Sequence, residues 1–154
     1  MWPLPLSDRE YRELVDGFLD DESHLNDHKW LNTISIEASR KGDIALIERL
    51  CSLERVDFII SSRDEYGRTP VHYFAKNDDV YSLAFLLDNG ADIDMRDIFG
   101  RNALHVSSVF GSFSSLQFLS QSAVSVNAID KNFNTSLHLA ARGGYIKCQH
   151  QCCE

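Results

Sequence analysis

No run of about 18 apolar residues occurs anywhere in this sequence, so no membrane-spanning helix is expected. The opening residues, Met1-Trp2-Pro3-Leu4-Pro5-Leu6, lack the basic and apolar regions of a secretory signal. Positive charge is scarce as well. Fifteen Lys and Arg against 23 Asp and Glu leave a net charge of −8 and a pI near 5.1, which argues against a general phosphate-binding surface and against nucleic acid as a partner. The four cysteines, Cys51 and the crowded Cys148, Cys152 and Cys153, do not form the spaced framework of a secreted disulfide scaffold. A reducing compartment follows as the expectation, cytoplasmic with the nucleus left open. Also missing are G-x-S-x-G, the P-loop, the kinase signatures and H-E-x-x-H, so no nucleophile, phosphate cradle or zinc-hydrolase pair is offered and catalysis is not expected.

What is present is periodic. The stretch DEYGRTPVHYFA, Asp64 to Ala75, recurs as DIFGRNALHVSS from Asp97 and DKNFNTSLHLAA from Asp130, each 33 residues after the last. A constant period of this size marks stacked helix-pair units that bury their apolar faces only against one another. In the first copy Asp64, Gly67, Thr69, Pro70, His72 and Ala75 carry the pattern. Gly100, Leu104 and His105 carry it in the second, and Thr135, Leu137, His138, Ala140 and Ala141 in the third. Residue for residue the chain resembles the ankyrin repeat family. The resemblance implies an all-α helix-turn-helix solenoid with β-hairpin-like loops and about four repeats, the last one truncated.

The boundaries follow from that register. Residues 1–29 read as an N-terminal amphipathic helix and an acidic linker. Ser7 and Glu10 are spaced as a capping box, and Tyr11, Leu14, Val15, Phe18 and Leu19 form one apolar stripe suited to capping the array. Asp20 to Lys29 is the linker; His24 and His28 within it lack a third ligand at standard spacing, so no metal is assigned. Residues 30–63 form an atypical first repeat with helices near Thr33–Arg40 and Asp43–Ser52. It aligns with the next at a period of 36 if Gly42 stands opposite Asp78, and Ile47, Leu50 and Cys51 face the core. Residues 64–96 form the most complete repeat. Gly67 frees the turn, Thr69 caps the helix begun at Pro70, Leu83, Leu86 and Leu87 point inward, and Asn89-Gly90 ends the second helix. In residues 97–129 Asn102 takes over the cap, while Ala123 replaces the glycine of the helix end and marks a weak corner. In residues 130–154 Phe133 holds the turn-glycine place and Ser136 the proline place, and Gln149, Cys152 and Cys153 fall where leucines stood. The chain therefore reads as cut short, a fragment or a variant with an alternative tail.

His72, His105 and His138 recur at the period of the fold, so a repeated structural task explains them better than catalysis. The resemblance implies hydrogen bonds that tie turn to helix through this His and the nearby Thr. The tail CQHQCC gathers Cys148, His150, Cys152 and Cys153. Its spacing matches no C-x-x-C pair, and small apolar filling is the simpler reading, so no cofactor or metal is expected. The remaining chemistry lies on the surface. Carrying the pattern across places Glu65, Tyr66 and Arg68 on the first hairpin tip, Ile98, Phe99 and Arg101 on the second, and Lys131, Asn132 and Asn134 on the third. Val109-Phe110 extend the apolar patch along the groove. The expected partner-binding set is Tyr66, Arg68, Ile98, Phe99, Arg101, Phe110, Lys131 and Asn132, residue types common at interface hot spots. The alternative packing has Phe99 folded onto the adjacent tip, or Phe110 under the next helix. The expected function is a monomeric, non-catalytic module or scaffold that binds a protein on its concave groove. A regulatory or targeting part of a larger enzyme, ubiquitin-ligase receptor or channel is the alternative.

Overall fold

A computed structural model of the chain describes residues 6–20, 27–122 and 124–145, with the side chains of residues 18–20, 54 and 55 outside that description. The side chains of the Phe18 and Leu19 stripe positions, together with His24 in the linker, Ala123 and the Cys148–Cys153 tail, therefore lie outside that description. Helix α1 spans Asp8–Asp20, α2 His28–Lys41, α3 Ile44–Leu50, α4 Val56–Ser61 and α5 Pro70–Lys76; α6 spans Val80–Asp88, α7 Ala103–Phe110, α8 Phe113–Ser120 and α9 Ser136–Gly143. The first helices of successive units, α2, α5, α7 and α9, stack side by side in one layer. The second helices, α3, α6 and α8, form the other layer, with α6 against α8. The described chain is an all-α repeat solenoid with hairpin-like turns.

Side-chain chemistry starts α1, α5, α7 and α9 where the sequence places them. Ser7 and Glu10 close a reciprocal cap: the Ser7 amide donates to Glu10 Oε2 at 2.9 Å and the Glu10 amide to Ser7 Oγ at 3.3 Å. Asn102 accepts from the His105 amide at 3.2 Å, and Thr135 from that of His138 at 3.5 Å. Pro70 sits at the start of α5, where no N–H is needed. Helix ends follow the same logic: Gly42, Gly111 and Gly144 take left-handed φ, and Asp78, in register with Gly42 at 36 residues, does so too at 59°.

Leu83, Leu86, Leu116 and Leu119 are fully buried between the layers, with Ile47, Leu50 and Cys51 supplying the same wall in the first unit. Each such aliphatic contributes about 1.5–3 kcal/mol by leaving water. Leu87, expected inward with its neighbours, is only half-buried. Tyr11, Leu14 and Val15 of α1 pack on the core beside α2, and Tyr11 Oη donates to Asp43 Oδ2 at 2.8 Å. The α1 stripe thus covers the first unit.

The first unit departs from expectation in two places. Helix α2 begins at His28 rather than near Thr33, since Asp27 accepts from the amides of Lys29 and Trp30 and starts the helix early. After α3 the backbone widens into one π-helical turn, Cys51–Arg55, and continues as α4. The extra residues of this unit are thereby absorbed as helix, and Ile59 and Ile60 of α4 enter the core.

Candidate functional site

Each turn is built around one aspartate. Asp64 Oδ1 accepts the amides of Tyr66 and Arg68, both at 2.8 Å. Asp97 does the same for Phe99 and Arg101, both at 2.9 Å, and Asp130 for Asn132 at 2.8 Å and Asn134 at 2.9 Å. The chain then reverses through Gly67 at φ 70°, Gly100 at 77° and Phe133 at 61°. Glycine is required at the second of these on two counts: a Cβ there would also lie 3.0 Å from the Lys131 amide nitrogen of the next tip. Phe133 keeps the same turn, its amide 3.0 Å from the Asp130 carbonyl.

Adjacent tips are joined. The Ile98 amide donates to the Tyr66 carbonyl and the Lys131 amide to the Phe99 carbonyl, each at 2.9 Å. Beneath them His72 Nδ1 accepts from the Thr69 amide at 3.1 Å while its Nε2 reaches forward to the Arg101 carbonyl at 2.9 Å. His105 repeats the arrangement, with Nδ1 3.4 Å from the Asn102 amide and Nε2 3.2 Å from the Asn134 carbonyl. With Nδ1 accepting, Nε2 carries the proton and donates. Burial pushes both imidazoles below their ordinary pKa. They are neutral inter-unit struts, a link that the turn-to-helix role read from the sequence did not include.

The tip side chains divide into three groups. Arg68, expected at an exposed tip, is 1% exposed: its guanidinium lies over the Tyr66 ring at 4.7 Å, and Nε is 3.9 Å from Asp97 Oδ2 of the next unit. The next turn's carboxylate draws it inward. Tyr66 and Phe99 are half-buried and stack with centroids 6.4 Å apart, so Phe99 does fold onto the neighbouring tip, and the Arg101 guanidinium lies 5.6 Å from the Phe99 ring centroid. Ile98, Lys131 and Asn132 are exposed. Phe110 is half-buried with Lys76 Nζ 5.3 Å above its ring. By its place in the sequence Phe133 is only a poor turn residue, yet it is the most exposed large apolar side chain described, at 79%. The available signal was its place in the turn register beside Lys131 and Asn132.

Between the turns and the first helices runs a groove. Its helical wall is formed by Arg40, Lys76, Val109 and Arg142, which occupy one equivalent position in four units. Arg40 is neutralised there by Glu37 and lies 3.7 Å from Asp64 Oδ2, and Tyr73 Oη, which accepts from Arg40 Nε at 3.0 Å, donates to the same carboxylate at 2.7 Å. The Lys76 ammonium is held below the ordinary lysine pKa first by burial, then by the nearby positive charges of Arg68 and Arg40. Further along, Arg101 and Arg142 flank a cavity of about 250 Å³ whose apolar lining is Val109 and Leu139. Among the described residues no His, Cys, Asp and Glu group is arranged to hold a metal ion.

A family model described as ankyrin repeats (3 copies) matches residues 34–130 and 75–151. No curated protein matches the chain.

Proposed function

The chain belongs to the ankyrin repeat family, whose arrays are generally protein–protein interaction modules, and from that premise we propose that it is a non-catalytic binding module that engages a protein partner along its hairpin tips and the adjoining groove. The observation that carries this reading is Phe133. It combines two local costs, a left-handed backbone that disfavours a side chain by about 1–2 kcal/mol and a ring 79% exposed to water. Neither is offset by packing among the described residues. Ile98, on the preceding tip, and Lys131 and Asn132, beside Phe133 in its own turn, are exposed as well. In this reading Phe99, Arg101 and Phe110 contribute from the other tip and the groove, and Tyr66 and Arg68 hold Phe99 and the turn in place. Because the tips are tied together by backbone bonds, the surface is preorganised and little ordering is lost on binding.

A photo-crosslinking amino acid placed at Phe133 is expected to capture a discrete protein from a lysate. The same group at Tyr81, 66% exposed on the second-helix layer, serves as the control. Capture from Tyr81 alone, or equally from both, sinks the reading. Phe133→Gly sharpens the test, since it should raise the urea midpoint by relieving the backbone while competing poorly for the captured protein.

A further inference from the structure

Resting on that reading of the groove, the distribution of charge within it defines the partner further. The protein carries a net charge of −8, yet the wall between turns and first helices presents Lys76, Arg101 and Arg142 in succession. Arg40, at the other end of the same row, already has Glu37 and Asp64 beside it. Arg142 is exposed and makes no ion pair among the described residues. Arg101 has only Asp130, 3.6 Å away, and its Nε makes no hydrogen bond there. The cavity these two arginines flank has room for one side chain beside Val109 and Leu139.

The spacing sets a second condition. Stacked helices lie about 8–10 Å apart, so Lys76 and Arg142, two units apart, are separated by roughly 16–20 Å. An extended chain rises about 3.3 Å per residue and covers that span in about six. Side chains six apart in a strand point the same way, as do the two between them at alternate positions. Those two would meet Val109 and Phe110.

We propose that the groove takes an extended acidic segment of a partner protein, with one carboxylate in the Arg101–Arg142 cavity, a second about six residues away at Lys76, and apolar side chains at the alternate positions between. Arginine's forked donors suit the first carboxylate and a lysine point charge the second.

The probe is a fluorescein-labelled peptide of sequence Glu-Ser-Leu-Ser-Val-Ser-Glu, read by anisotropy at low and high salt against the full chain. Its control replaces both glutamates by glutamine. The expected result is binding of the glutamate peptide about tenfold or more tighter than the glutamine peptide, weakened by salt. Arg142→Glu should abolish it, and Arg142→Gln should reduce it, with melting of both variants unchanged because the side chain is exposed. Equal affinity for the two peptides, no binding of the glutamate peptide at millimolar concentration, or no effect of Arg142→Glu overturns the proposal. So does displacement of the peptide by a single-stranded oligonucleotide of equal charge, which would mark a general anion surface. Crosslinking from Phe133 is run on the same Arg142 variants. Crosslinking that persists while the peptide assay fails removes the acidic partner and leaves the groove reading standing; loss of crosslinking from the unsubstituted protein removes both.

Discussion

At the scale of single residues, the histidines show how a repeated side chain can be structural and still control stability. His72 and His105 are buried, donate through Nε2 to the next unit's backbone, and have their pKa values lowered by desolvation. Protonation therefore favours the unfolded chain, whose imidazoles titrate near about 6.5. As pH falls through that value the unfolded state binds more protons than the folded one, and stability drops until the lower folded pKa is passed. The urea midpoint is expected to fall between about pH 7.5 and 5.5, and the double substitution His72→Gln/His105→Gln should flatten that slope. An unchanged slope would assign the pH dependence to other groups. The register of these histidines was legible in the sequence at once. Their forward bonds were not, because the acceptors lie 29 residues away and belong to the backbone.

At the scale of the element, the turns look alike in sequence but carry different loads. Asp97 and Asp130 each accept two backbone amides. The arginine facing Asp97 is Arg68, with a side chain 2% exposed, whereas Arg101, facing Asp130, is 25% exposed. Removing a carboxylate from beside a buried cation costs about 3–5 kcal/mol, and much less where water can replace it. Asp97→Ala should thus lower the unfolding free energy by about 3 kcal/mol or more, and Asp130→Ala by about 1–2 kcal/mol. Equal losses would show that the turn's amide bonds, common to both, dominate. The first unit makes the complementary point. Its added length was visible as a period of 36, but the form it takes, a π-helical turn leading into α4, depends on Ile59 and Ile60 finding the core.

At the scale of the whole molecule, stability in a stacked array is held between neighbours, and interior units are held from two sides. Helix α7 is packed between α5 and α9 and also contacts α8, while α1 touches chiefly α2. Amide hydrogen exchange is expected to be slowest in α5 and α7 and fastest in α1 and the end of α9, where Ala141 to Gly144 are exposed. Uniform protection across all nine described helices would instead indicate one cooperative unit.

The sequence by itself determined the family, the all-α repeat architecture, the helix starts at Pro70, Val80, Ala103 and Phe113, and the caps at Ser7, Thr69 and Asn102. These are set by local chemistry, repeated at a fixed spacing: a proline that needs no donor, a hydroxyl or amide that accepts one, an aspartate that closes a turn. Tertiary structure alone decided which tip residues meet water. Arg68 and Arg101 occupy the same place in their units, yet one is buried over Tyr66 against Asp97 and the other remains half-open to the groove. Phe133 stands where glycine stood and stays exposed, because no described tip stacks upon it as Lys131 stacks upon Gly100. Exposure depends on the neighbouring unit, and a period read along one chain records the position of a residue without the surroundings that cover it.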